Sequence, residues 1–175
     1  FKGVYHDKGM LVATDAAVLV AIKDNYPEEL ERAVTFKDGY IAADVKFPDW
    51  RSVFTDTGKQ TKVDITLDKL ASYLEQIKAN VPKKILTDED RRTSFVVIDF
   101  GDGNSSAYNY ERIVKFVNAA RFLNAQVSYC SSQGKNSPDK KLIAEGANGM
   151  VALFPVKFGE DHKFNYNVPL NEEEN

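Results

Sequence analysis

Asn109-Tyr-Glu-Arg-Ile-Val-Lys-Phe-Val-Asn-Ala-Ala-Arg121 is the stretch on which the fold of this chain turns. Ile113, Phe116, Val117 and Ala120 recur at spacings of three and four, which places all four on one face of an α-helix. The pattern predicts a helix that starts near Asn109. Three runs beyond it, Gln126 to Cys130, Lys141 to Glu145 and Gly149 to Lys157, read as strands, with a polar loop from Ser131 to Asp139 between the first two. A strand ahead of the helix completes a strand–helix–three-strand unit over roughly residues 107 to 158.

A partial copy of that unit lies upstream. Lys62 to Leu67 reads as a strand that runs directly into a helix carrying Leu70, Leu74, Ile77 and Val81 at helical spacing. Thr66 or Asp68 is its N-cap and Pro82 its stop. Lys83 to Arg92 is a charged loop, and Ser94 to Phe100 a continuous apolar strand closed by Gly101-Asp-Gly-Asn104. Residues 1 to 46 are rich in β signals. Gly3-Val-Tyr5 and Leu11-Val-Ala13 flank the turn His6-Asp-Lys-Gly9, Ala17 to Ile22 is a short apolar strand, and Ala33 to Phe36 pairs with Tyr40 to Val45 across Lys37-Asp-Gly39. Phe47 to Lys59 is a connector, and Asn171-Glu-Glu-Glu-Asn175 an acidic tail expected to be disordered.

At 175 residues and 43% apolar composition the chain can bury a core of its own. No apolar run reaches the roughly 18 residues needed to cross a bilayer, so no membrane partner is expected. The chain opens at Phe1 and not at Met, which leaves room for a removed leader or first element. Cys130 is the one cysteine, so an internal disulfide is excluded and a reducing, cytoplasmic location is expected. Asn104-Ser-Ser106 matches a glycosylation sequon and reads most simply as a turn. A net charge of -3 argues against a broad grip on nucleic acid, since many phosphate contacts demand a basic protein. Any DNA contact must come from a local basic face.

Nothing in the chain assembles a catalytic centre. His6 and His162 each sit beside an aspartate, Asp7 and Asp161, but neither has a second ligand at metal-binding spacing. Asp99-Phe-Gly101 is similar to the kinase magnesium motif, yet no Gly-rich loop or His-Arg-Asp segment accompanies it. The same stretch fails the spacing of a calcium loop. No enzyme activity, cofactor or metal is therefore expected, and a small hydrolase with an unfamiliar site ranks low.

Three further stretches, far apart, share one resemblance. Leu11-Val-Ala-Thr-Asp-Ala-Ala-Val-Leu-Val20, Lys46-Phe-Pro-Asp-Trp-Arg-Ser-Val-Phe54 and Val151-Ala-Leu-Phe-Pro-Val-Lys157 resemble, in order, signatures of the bacterial DNA polymerase sliding clamp, the polymerase III β subunit. There a strand runs into Ala-Thr-Asp-Gly-His-Arg-Leu, a linker reads Phe-Pro-Asp-Tyr-Arg-Arg-Val, and the last strand ends aliphatic-Met-Pro. The resemblance covers residues 3 to 23, 46 to 54 and 107 to 158 of this chain. It implies an α+β, DNA-clamp-like fold, with two helices packed on one face of curved antiparallel β-sheets. Residues 1–170 would form a single clamp-like domain: a β-rich part (1–46), a connector (47–60) and a β-α-β and β-α-βββ part (61–158). Residues 171–175 would be the tail. The alternative for residues 1 to 46 is a remnant of a preceding clamp domain.

By the same resemblance a groove for hydrophobic peptides would be lined by Thr14, Ala16, Ala17, Val18, Leu19, Pro48, Trp50, Val53, Ala152 and Phe154. Ala16-Ala17-Val18 replaces the family's Gly-His-Arg and Ser52 its second linker arginine, so the polar rim is lost and ligand specificity does not carry over. These apolar residues fit an ordinary core equally well. A lone Trp in a linker also pins that linker to the body more often than it anchors a partner. DNA-facing residues would be Lys69 and Lys78 on the first helix and Arg112, Lys115 and Arg121 on the second, although Glu75 and Glu111 interrupt them. The function implied is non-enzymatic: tethering replication or repair factors to double-stranded DNA, with self-association needed to close a ring. The alternative is a stand-alone protein-interaction module that keeps the clamp fold and has no DNA role.

Overall fold

The computed structural model describes residues 3–55, 61–62, 66–80, 94–100, 105–131, 139–156 and 164–169. The expected charged loop 83–92, the turn 101–104, His162 and the tail 171–175 lie outside the described residues. Among the described residues there are twelve strands: β1 (Gly3–Asp7), β2 (Met10–Thr14), β3 (Val18–Lys23), β4 (Val34–Phe36), β5 (Ile41–Ala42), β6 (Thr61–Lys62), β7 (Ser94–Asp99), β8 (Ser105–Asn109), β9 (Gln126–Ser131), β10 (Lys140–Gly146), β11 (Gly149–Leu153) and β12 (Phe164–Pro169). With them are the helices α1 (Ser52–Thr55), α2 (Leu67–Asn80) and α3 (Tyr110–Phe122).

Nine strands form one sheet in the order β5-β4-β1-β2-β3-β11-β10-β9-β6. The β1–β2 hairpin closes on Lys8 (φ 51°) and Gly9 (φ 73°), the two positive φ values that a tight two-residue hairpin turn requires. At the centre β3 pairs antiparallel with β11, Leu19 opposite Ala152 and Val20 opposite Val151. Period-two alternation then sorts the side chains onto two faces. Val18 and Leu142, Ala144, Val151 and Leu153 enter one buried cluster, whereas Leu19, Ala21, Ile143 and Ala152 enter another.

The first cluster is roofed by the helices. Leu70, Leu74 and Ile77 of α2 join Ile113, Phe116, Val117 and Ala120 of α3, each large side chain there contributing about 1.5–3 kcal/mol through burial. Thr66 is the N-cap of α2, its Oγ1 accepting from Lys69 N at 3.2 Å, and Asn109 caps α3 by accepting from Arg112 N at 3.3 Å. α3 ends where Asn124 takes a left-handed φ of 47°. The Tyr110 hydroxyl donates to Leu74 O at 3.2 Å and ties the two helices together. The second cluster is closed by the connector, whose Trp50 and Phe54 cover Tyr5, Val12, Val34 and Ile143.

A smaller sheet, β12-β7-β8, is attached through Tyr108, which donates from its hydroxyl to Lys140 O at 2.6 Å, and through Val156 N donating to Ala107 O at 2.8 Å. The architecture is α+β with helices on one face, as expected, but three details differ. β12 runs parallel to β7, Phe164 opposite Ser94, so the sheets are not antiparallel throughout. The connector contains the short helix α1. The strand expected over 62–67 does not reach its end, because Leu67 already opens α2 once Thr66 has capped it.

Candidate functional site

The β2–β3 turn ends the central seam, and its own side chains hold it. Thr14 Oγ1 donates to Val18 O at 2.8 Å and accepts from Ala16 N at 3.1 Å. Asp15 Oδ1 accepts from Ala17 N at 3.1 Å and Val18 N at 2.9 Å. Ala16 sits at φ 72°, in the left-handed region, at the position where the resembling motif has glycine. Ala17 O then accepts from Phe154 N at 2.8 Å, so the seam carries one more bond beyond β11.

Across the sheet, the connector is fastened by a polar cluster. Trp50 is 4% exposed, and its Nε1 donates to Asp7 Oδ2 at 2.8 Å. The Arg51 guanidinium donates to the same carboxylate oxygen and lies over the indole at 4.3 Å. Partial burial works against a charged Asp7, but the hydrogen bonds from Trp50 and Arg51 prevail and hold its carboxyl below the ordinary value of 3.8. From β10 the buried Lys141 donates from Nζ to Val53 O and stands 5.4 Å from the centre of the Phe154 ring.

The structure therefore brings some of the ten apolar candidates together and separates others. Leu19, Trp50 and Ala152 lie in one buried cluster with Val53 packed against it. Val18 faces the opposite side, in the helix-covered core. Ala17 is buried, Thr14, Val53 and Phe154 are half-buried, and Ala16 and Pro48 are exposed. Thr14, Ala16, Pro48, Val53 and Phe154 therefore keep surface in solvent.

The basic candidates occupy the helices, and acids from the same chain pair with Arg112, Lys115, Lys78 and Arg121. Lys115 Nζ lies 3.2 Å and Arg112 Nε 3.8 Å from Asp15 Oδ2. Lys78 lies 3.6 Å from Glu75, and Arg121 3.2 Å from Asp68. Lys69 is exposed in the first turn of α2. Burial also works against a charged Asp15. The backbone N–H groups of Val18 and Ala17, and then Lys115, outweigh it and keep that carboxyl below its ordinary value.

Asp7, Asp15 and Lys141 escaped the reading of the sequence as functional groups. Their partners stand 44, 100 and 88 residues away along the chain, so no local pattern announces them. Among the described residues no group of three or more His, Cys, Asp or Glu side chains is placed to hold a metal ion. No helix there is long and apolar enough to cross a membrane, which says nothing of strands.

This arrangement of sheets with helices on one face is an α+β fold of the DNA-clamp type. In particular, the chain is similar to the solved structure of DNA polymerase III subunit beta from Borrelia burgdorferi in complex with a natural product. The TM-score is 0.58 at 16% identity, over 90% of this chain and 56% of that one. This chain thus matches little more than half the length of that protein, and at such identity the likeness defines the fold. No family model and no curated protein matches the sequence.

Proposed function

We propose that this chain is a sliding-clamp-like protein without catalytic activity, which tethers a DNA replication or repair factor to duplex DNA. The observation that carries the reading is the clamp-type fold, with α2 and α3 side by side on one face of the sheet and bearing Lys69, Lys78, Arg112, Lys115 and Arg121. Such a helix layer meets the phosphate backbone without reading bases. Residues 1–170 act as one clamp-like unit in this reading, since β1–β5 and β9–β11 share a sheet. A factor's apolar peptide docks at the end of the seam, over Thr14, Ala16, Pro48, Val53 and Phe154, with Leu19, Trp50 and Ala152 beneath. The place of action is the cytoplasm, and a ring requires several copies.

A second reading rests on the paired charges. If the ion pairs to Asp15, Glu75 and Asp68 persist, the helix layer offers DNA little free charge. The protein is then an interaction module with a clamp fold. Solution mass by light scattering, at low and moderate salt with and without a duplex, separates the two. A closed oligomer with salt-sensitive DNA association supports tethering, and a monomer indifferent to DNA overturns it.

A further inference from the structure

We infer that Asp15 is a built-in stand-in for a DNA phosphate, occupying the contact point formed by Arg112 and Lys115 and holding it shut; this rests on the DNA reading above. Arg112 and Lys115 are three residues apart on α3 and therefore share a helix face. Both approach one oxygen, Asp15 Oδ2, at 3.8 and 3.2 Å. Two cations converging on a single anionic oxygen is the arrangement that a backbone phosphate also satisfies. Arg112 and Lys115 keep part of their side chains in solvent, so an incoming phosphate can reach them.

What sets Asp15 apart from the other acids is how it is held. The Glu75 and Asp68 side chains, partners of Lys78 and Arg121, are 73% and 83% exposed, so water and salt weaken those pairs readily. The Asp15 side chain is 37% exposed, and its second oxygen is bound by Ala17 N and Val18 N. The turn thus fixes the carboxylate independently of the cations. The carboxylate keeps its place when DNA arrives, and a phosphate must compete with it for Arg112 and Lys115. The same aspartate caps the turn beside Ala17, which accepts from Phe154 N. Contact between DNA and α3 is therefore mechanically adjacent to the peptide-docking end of the seam.

The test is fluorescence anisotropy of a labelled duplex with the full chain, Asp15→Asn and Asp15→Ser, across about 50 to 200 mM salt. Asn and Ser each retain an oxygen that can accept from the turn N–H groups but lose the charge, and either one folded suffices. Two newly freed cations steepen the dependence of log affinity on log salt by about 1.8, so the spread of affinity over that range widens by about 12-fold. Both variants should bind more tightly than the parent at the low-salt end. Adding Arg112→Gln with Lys115→Gln should remove the gain. If the parent binds duplex and the variants match it, or if the gain survives the double change, the inference fails and the tethering reading stands. If neither parent nor variants bind duplex at any salt, both fail together.

Discussion

Replacing Trp50 with phenylalanine would keep an aromatic ring under the connector while deleting one N–H and part of the ring. That N–H donates to Asp7 Oδ2 at 2.8 Å, and the Asp7 side chain is 13% exposed, so solvent replaces the lost donor poorly. A hydrogen bond to a charged group is worth about 1.5–3 kcal/mol, and the ring volume removed costs about 1 kcal/mol more. Arg51 remains on the carboxylate and offsets part of this. The expected loss is about 2–4 kcal/mol, a large share of the 5–15 kcal/mol typical of a domain. Asp7 adds a signature. Its folded carboxyl sits below the ordinary value of 3.8, so its stabilisation is present above that value and is lost as pH falls through the folded one. Trp50→Phe moves the folded value back toward 3.8, so the gap between the two proteins should be full near neutral pH and should shrink in acid. Urea unfolding followed by circular dichroism at neutral and acid pH reads both quantities. A neutral-pH difference within about 0.5 kcal/mol, the range of an ordinary surface change, would refute the anchoring role. A gap of equal size at both pH values would show that ring volume alone matters.

Other positions yield to the same kind of reasoning. Ala16→Gly relieves a left-handed alanine at φ 72°, worth about 1–2 kcal/mol, against about 0.4–1 kcal/mol of added chain entropy. It should therefore raise the urea midpoint with an unchanged slope. Gly146→Ala would place a Cβ 2.3 Å from Leu123 O, backbone against side chain, and should cost about 1–3 kcal/mol in the same assay. Lys141→Met keeps the apolar stem and deletes the donor to Val53 O. Amide exchange should quicken around α1, by about 1–2 kcal/mol of local protection, with β10 and β11 unaffected.

The helix α3 and the three strands after it were legible because Ile113, Phe116, Val117 and Ala120 switch to period two around Val127, Leu142 and Val151. The N-terminal hairpins were equally plain, since Lys8-Gly9 can hardly be anything but a turn. β12 was not foreseen, and neither its presence nor its parallel course along β7 follows from local pattern, because pairing direction is settled by segments far apart. At the site, the resemblance set the adjacent Val18 and Leu19 in one groove, whereas strand alternation sends them to opposite sides of the sheet. The mixture of charges on α2 and α3 was visible in the sequence. Which acid meets which base was not, because Asp15 reaches Lys115 across 100 residues of chain.

The seam between β3 and β11 also sets a timetable. It joins a strand near the beginning of the sequence to one near its end, with Val20 opposite Val151. A ribosome adding about 5–20 residues each second needs on the order of ten seconds to pass from one to the other. Throughout that interval the growing chain holds β1–β3 with the outer edge of β3 unsatisfied, the kind of bare edge that invites intermolecular pairing. Contacts so distant also slow the search for the native state. The nascent protein is thus most vulnerable before its last strands emerge, and helpers that shield open edges during translation should raise its yield more than any change at its finished surface.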